Sequence, residues 1–370
     1  MPLLDRIVSE IRTRGALSVA EFMEIALHEP ELGYYSAAAQ RSGRGGDFYT
    51  SVDVGPLFGE MIAAQLAEMW EVMRTPGDDG FDLVEAGAGN GRLARDVMDA
   101  AARDFPEFYR RIRLTLVERS AAARGAQPAT LGPHMARAPE LRRTLPDTVT
   151  GVVFANELLD ALPVRVVERT GEGLREVMVS ERDGVLVESR RPISDPMLAE
   201  HMRASPADLP PGGRTEVGLA ASQWLKDAAA ALQRGFLLLF DYGHETGAIE
   251  SAVRPGGTLT SHRGHLADSD WLATPGARDL TADVDLTSLR RTADRCGLVT
   301  LAVVDQTYFL LSNGLAARLE TGHDRRAVSR RLAARTLVMP GGLGSTMKAM
   351  VFAKHLGTPR LRGTSAGRLT

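Results

Sequence analysis

The chain has 370 residues, 44% hydrophobic and 25% charged, which is enough for two domains or one large domain with insertions around a sizeable core. Its formal charge of −3 at pH 7 argues against a general nucleic-acid binder, and only Lys226, Lys348 and Lys354 among its 44 basic residues are lysines. A single cysteine, Cys296, excludes an intrachain disulfide and a thiolate zinc site, and no apolar run approaches the ~20 residues of a membrane span.

Residues 1–27 lack the apolar stretch of a secretory signal and mix acids among their arginines, so the expected compartment is the cytoplasm. Leu3, Leu4, Ile7, Val8 and Ile11 have helical spacing, as do Phe22, Met23, Ala26 and Leu27. Ser18 and Glu21 have the spacing of a capping box for the second of these helices. Residues 29–56 are rich in Gly, Ser and Tyr and read as a long loop, a feature often tied to function. A helix follows over about 56–74, then a Pro/Gly/Asp linker.

From residue 81 apolar runs alternate with helical stretches. Strands are expected at 81–87, 113–119, 151–157 and 235–243, forming a parallel sheet covered on both faces. Residues 164–190 alternate apolar and polar between Gly-containing turns and read as an inserted β-meander. Residues 191–215 hold five prolines and read as a loop excursion, followed by a helix near 217–233. Antiparallel strands at 300–311 and 346–354 close the sheet, and the Gly/Arg/Thr-rich end reads as disordered. The division expected is a helical cap (1–75), a Rossmann-like core (76–163 and 230–356), the insertion (164–229) and a flexible tail (357–370).

The chemistry concentrates at strand ends. Glu85-Ala-Gly87-Ala-Gly89-Asn-Gly91 closes the first strand and opens a helix. The glycines let backbone approach a ligand closely, as in dinucleotide folds, but Glu85 would repel a pyrophosphate. A carboxylate there suits a cation, and S-adenosylmethionine carries a sulfonium and an ammonium. Glu118, ending the second strand, can accept hydrogen bonds from both ribose hydroxyls. The third strand ends in Asn156-Glu157-Leu-Leu-Asp160. Glu157 and Asp160 suit a cationic methyl acceptor such as guanidinium, which is always protonated and binds carboxylates bidentately. Equally, Glu157 could serve a helix N-terminus and Asp160 could cap it. Asp241, Tyr242 and His244 end the fourth strand at the same rim, and His244 is a candidate proton acceptor.

These pieces, in order, resemble the MidA-type S-adenosylmethionine-dependent methyltransferases, whose members include a mitochondrial protein-arginine methyltransferase that assists respiratory complex I assembly. The resemblance spans about residues 15–354. It rests on His28-Glu-Pro30-x-x-Gly33-Tyr34-Tyr35, Gly45-Gly46-Asp47-Phe48-x-Thr50-Ser51, the Glu85–Gly91 loop, Val117-Glu118-Arg119-Ser120, Asn156-Glu157-x-x-Asp160, Asp241-Tyr242-Gly243, Gly257-Thr258-Leu259 and the stretch from Asp279 to Asp285. It implies a Rossmann-like α/β core with an N-terminal helical segment and a β-rich insertion. It places Glu85, Gly87, Gly89, Gly91 and Glu118 at the cofactor, with Gly46, Asp47 and Phe48 folding over it. The candidate set adds Arg119, Asn156 and Thr50 at the cofactor and Glu157, Asp160 and His244 at the reaction. The Ala-Gly-Ala-Gly loop departs from the family's common Leu-Gly-Pro-Gly.

The activity expected is methylation of an arginine on a protein or peptide, with no metal, nucleic acid or membrane partner and with a homodimer as an open option. Two alternatives stand beside it: a cofactor-binding or non-catalytic assembly protein, and a small-molecule O- or N-methyltransferase.

Overall fold

The computed structural model describes the chain apart from Met1, residues 39–41, 44–45, Phe48, 76–79, 206–207, 250–254, 320–323 and 369–370. The expected capping box is present. Ser18 accepts from the Glu21 backbone and Glu21 accepts in return, so helix Val19–His28 starts where the sequence predicts.

The main sheet runs, edge to edge, through Val299–Asp305, Met347–Lys354, Leu232–His244, Val149–Asn156, Phe81–Ala86, Ile112–Val117 and Glu140–Arg142. All are parallel except Met347–Lys354, which is antiparallel to both neighbours. Strand Leu232–His244 shows why its sequence is a near-unbroken apolar run. Phe236, Leu238 and Phe240 enter one core, while Leu237 and Leu239 enter the other on the opposite face. Helices Leu57–Met73 and Arg92–Asp104 cover the first face, and Leu219–Ala231 and Leu286–Arg295 the second. Helix Leu57–Met73, which the sequence reading groups with the N-terminal segment, is part of this core, with Phe58 edge-on to Phe240 at 5.3 Å.

The strand order reverses between Phe81–Ala86 and Val149–Asn156. The chain first winds outward through Ile112–Val117 to Glu140–Arg142, then returns to the other side. The crevice beyond the carboxyl ends of those two strands is where open α/β sheets bind ligands.

The expected meander is Arg165–Thr170, Gly173–Arg182 and Val185–Pro192. It belongs to a second sheet that also takes in Arg214–Val217 and the short Leu17–Ser18, which pairs with Val179 and Met178. Ile7, Ile11, Phe22 and Leu27 of the N-terminal helices share a core with Val166, Val177 and Val179 of this sheet and with Trp271 and Leu280. The first helices and the insertion are thus one body.

Three stretches differ from the sequence reading. The Pro-rich excursion contains helix Pro196–Ala204, because Asp195 accepts from the Met197 and Leu198 backbones at 2.8 and 3.1 Å and Pro196 fits a first helical position. The last long strand pair is shorter than expected. Strand Val299–Asp305 stops and helix Gln306–Ser312 begins, which buries Phe309 and Leu310 on one side. Gln306 is itself buried, donating to the Leu337 and Leu343 carbonyls at 3.0 and 3.3 Å. The stretch after the last strand packs instead of trailing free: Leu361 is 3% exposed and the Gly363 N–H donates to Gln65 Oε1 at 3.0 Å.

Candidate active site

The glycine loop wraps Glu118. Gly87, Gly89 and Gly91 have φ of 69°, 51° and 86°, a region that L side chains enter only under strain. A Cβ on Gly87 would also press on Leu158 at 3.0 Å. The Gly89 N–H donates to Glu118 Oε2 at 2.8 Å and the Ser120 N–H to Oε1 at 2.7 Å. Each oxygen keeps a lone pair for a further donor. Gln127 Nε2 donates to the Gly89 carbonyl at 2.8 Å, and Gly91 stands at the start of helix Arg92–Asp104. Asp53, in the loop before the core, pairs with Arg92 at 2.6 Å and accepts from the Thr50 N–H at 3.0 Å, tying that loop to the helix start.

Glu157 follows the third core strand with φ 52°, a left-handed conformation costing a non-glycine residue roughly 1–2 kcal/mol. Its N–H donates to the Phe240 carbonyl at 2.8 Å, and Oε1 accepts from Asn156 Nδ2 at 3.1 Å and the Ser51 N–H at 3.3 Å. Burial pushes this carboxyl up to about 8; Asp241 and Asp53 add to the shift, and the bonds from Asn156 and Ser51 oppose it. Asp160 is 8% exposed, and burial with Asp241, Glu157 and Asp279 nearby drives its carboxyl well above the ordinary range. Tyr35 donates to Asp279 Oδ1 at 2.8 Å on the same wall, and His244 Nε2 lies 3.4 Å from Asp283 Oδ2.

Asp241 is not free to contact an acceptor, contrary to the reading of the fourth strand end. Its Oδ2 accepts from the Leu158 and Leu159 backbones at 3.1 and 2.7 Å and its Oδ1 from Tyr242 at 2.9 Å, so it clamps the Glu157–Asp160 turn. Nor does a helix follow Glu157 for that acid or Asp160 to cap.

One cavity of about 1570 Å³ joins these parts. Its wall includes Glu85, Gly87, Gly89, Glu118, Arg119, Asp47, Thr50, Asn156, Glu157, Asp160 and His244. Gly91 and Gly46 are not on the wall, Phe48 lies outside the described residues, and Arg119 reaches Glu24 at 3.2 Å. Asp47 holds the loop in place, accepting from Tyr34 Oη at 2.9 Å and the Gly264 N–H at 2.8 Å. The sequence reading left out Tyr35, Asp279 and Asp283 as site residues. All three stand in the motifs that carry the family resemblance, which was the available signal.

Two polar atoms on this wall fit a cationic cofactor. Glu85 Oε2 and Asn156 Oδ1 are shielded from solvent and have no hydrogen-bond partner. Unpaired buried acceptors are costly, and an ammonium or sulfonium beside them would relieve that cost. Burial holds Glu85 up at about 8 against a backbone bond from Ala94, with Glu118 and Asp96 adding to the shift.

A pH dependence follows. A cation favours the ionised carboxyl, so affinity for S-adenosylmethionine is expected to rise up to tenfold per pH unit towards 8 and then level off, as measured by calorimetry. The stability of the ligand-free protein should move the opposite way. Raised carboxyls at Glu85 and Glu157 stabilise the fold fully below their unfolded value near 4.5, and this contribution fades as pH rises through about 8. Histidines lowered by burial, such as His28 at about 4, oppose this only below about 6.5. Melting temperature should therefore fall between pH 6.5 and 8 without ligand.

Comparison with known proteins agrees with this geometry. Residues 61–304 match a family described as "Putative S-adenosyl-L-methionine-dependent methyltransferase". The chain is 30% identical over 350 residues to protein arginine methyltransferase NDUFAF7, mitochondrial, of Danio rerio, covering 86% of this chain and 78% of that protein. The Homo sapiens protein of that name is 29% identical over 363 residues, covering 88% and 76%. A crystal structure of a COG1565 superfamily member from Burkholderia thailandensis, bound to S-adenosyl-homocysteine, superposes with a TM-score of 0.89 at 29% identity, covering 98% of this chain and 94% of that one.

The cytoplasmic expectation is corrected by these relatives, which are mitochondrial by name, so the composition of the first residues does not decide the compartment. Among the described residues no helix is long and apolar enough to cross a membrane. On the family match and the relatedness along most of its length, the chain belongs to the S-adenosylmethionine-dependent methyltransferase family that these proteins share.

Proposed function

We propose that the chain methylates a guanidinium nitrogen of an arginine in a protein or peptide. The observation that carries this is the acid-lined rim. Glu157 and Asp160 share a wall with the glycine loop, and no lysine or arginine pairs with either among the described residues. Burial and neighbouring acids push both carboxyls up from their ordinary range, so a guest that brings positive charge favours their ionised form. The name protein arginine methyltransferase, borne by relatives at 28–30% identity, supports the same acceptor.

In this reading Glu85, Asn156 and Glu118 hold the cofactor, with Gly87, Gly89 and Thr50 shaping its bed. Bound S-adenosylmethionine supplies an electrophilic methyl group on a sulfonium. Glu157 and Asp160 accept N–H bonds from the guanidinium and orient one nitrogen in line, the contribution of placement to such displacements. One of the two carboxylates takes the proton that this nitrogen loses. Tyr35 and Asp279 lie on the same wall as Asp160, as do His244 and Asp283.

The test is incubation with methyl-labelled S-adenosylmethionine and arginine-containing peptides or a lysate, followed by acid hydrolysis. Label recovered as methylarginine is the expected result. Label released as methanol in mild base, or confined to small molecules, would overturn the assignment. Failure to bind S-adenosylmethionine at all would favour an assembly role instead.

A further inference from the structure

A third solvent-shielded atom without a hydrogen-bond partner belongs to a residue lining the same cavity, and it comes from the N-terminal body: His28 Nε2. His28 ends helix Val19–His28, and its ring stacks on Tyr35 with centroids 5.6 Å apart and planes at 23°. One turn earlier Glu24 pairs with Arg119, the residue after Glu118, so this helix end lies against the loop that presents Glu118.

We propose that His28 is a cofactor-binding residue whose Nε2 hydrogen-bonds the ribose of S-adenosylmethionine alongside Glu118. The chemistry of the donors favours this. Glu118 offers only acceptors, and its two oxygens already take the Gly89 and Ser120 N–H groups. A ribose diol has both hydroxyl hydrogens and oxygen lone pairs to satisfy. A neutral imidazole supplies either role at one nitrogen, whichever tautomer it adopts. His28 stays neutral at physiological pH, because burial and the neighbouring Arg119 hold its pKa down at about 4. The inference rests on the cofactor site alone and not on the identity of the acceptor.

The experiment uses S-adenosylhomocysteine and its 2′-deoxy and 3′-deoxy forms, titrated calorimetrically into the full chain and into His28→Phe. The phenylalanine keeps an aromatic ring against Tyr35 and removes both ring nitrogens. Its affinity for S-adenosylhomocysteine should fall about three- to tenfold, the range of one neutral hydrogen bond. One deoxy form should lose affinity in the unaltered chain beyond what the other loses, and that excess should vanish in His28→Phe. His28→Gln, which returns an amide near the Nε2 position, should recover part of the loss. Unchanged affinity in His28→Phe overturns the proposal. So does a loss that is the same for all three ligands, since His28 would then act by packing alone. If the phenyl ring prevents folding, seen by circular dichroism, His28→Ala carries the same cycle with the same outcomes. Methyl transfer is not read at any step, so a wrong acceptor assignment leaves this result intact.

Discussion

Glu157→Gln is expected to lower turnover by about 10²–10⁴-fold, the range for removing a positioned general base, while S-adenosylhomocysteine affinity changes less than about threefold. The amide is nearly isosteric and can still accept from the Ser51 N–H and Asn156 Nδ2 that hold Oε1. It cannot take a proton or balance a guanidinium charge. The setting argues that the carboxyl is kept for chemistry. The residue sits at φ 52° and is recessed among other acids, both unfavourable, and the fold holds it through the Phe240 carbonyl and the clamp of Asp241 on Leu158 and Leu159. Single-turnover kinetics beside calorimetry separates the two effects. Unchanged turnover would move the base to Asp160, and parallel loss of cofactor affinity would make Glu157 a binding residue.

Glu118→Ala is expected to weaken S-adenosylhomocysteine binding at least about 100-fold. Hydrogen bonds to a charged group contribute about 1.5–3 kcal/mol each, and the variant removes those proposed to the ribose diol. It also leaves the Gly89 and Ser120 N–H groups without their acceptor, so the glycine loop loses its anchor before any ligand arrives. Glu118→Gln keeps an acceptor oxygen and should lose only about tenfold. Titration calorimetry on the three proteins gives the ranking. Equal affinities for the alanine variant and the parent would remove Glu118 from the cofactor site.

The residues most legible in the sequence act through their own segments. Glu85 and the three glycines declare themselves because a strand end, a sharp turn and a helix start lie within seven residues. The core strands were readable because burial on both faces demands unbroken apolar runs. The Tyr35–Asp279 bond joins residues 244 apart, so neither local pattern announces the other. Asp241 looked like an acceptor contact by position, and only the turn geometry shows its oxygens occupied by backbone. Helix Gln306–Ser312 is not legible as a helix because TYFLL has no period to tell helix from strand; the buried Gln306 bonds to distant carbonyls that no local pattern announces.

Because Leu17 pairs with Val179, the first two helices have nothing to cover their apolar faces until the chain has grown far beyond them. At about 5–20 residues per second, a nascent chain carries Ile7, Ile11 and Phe22 uncovered for roughly ten to thirty seconds after they leave the ribosome. Synthesis order therefore leaves this segment waiting for the strands that cover it, a natural client for a holding chaperone during translation.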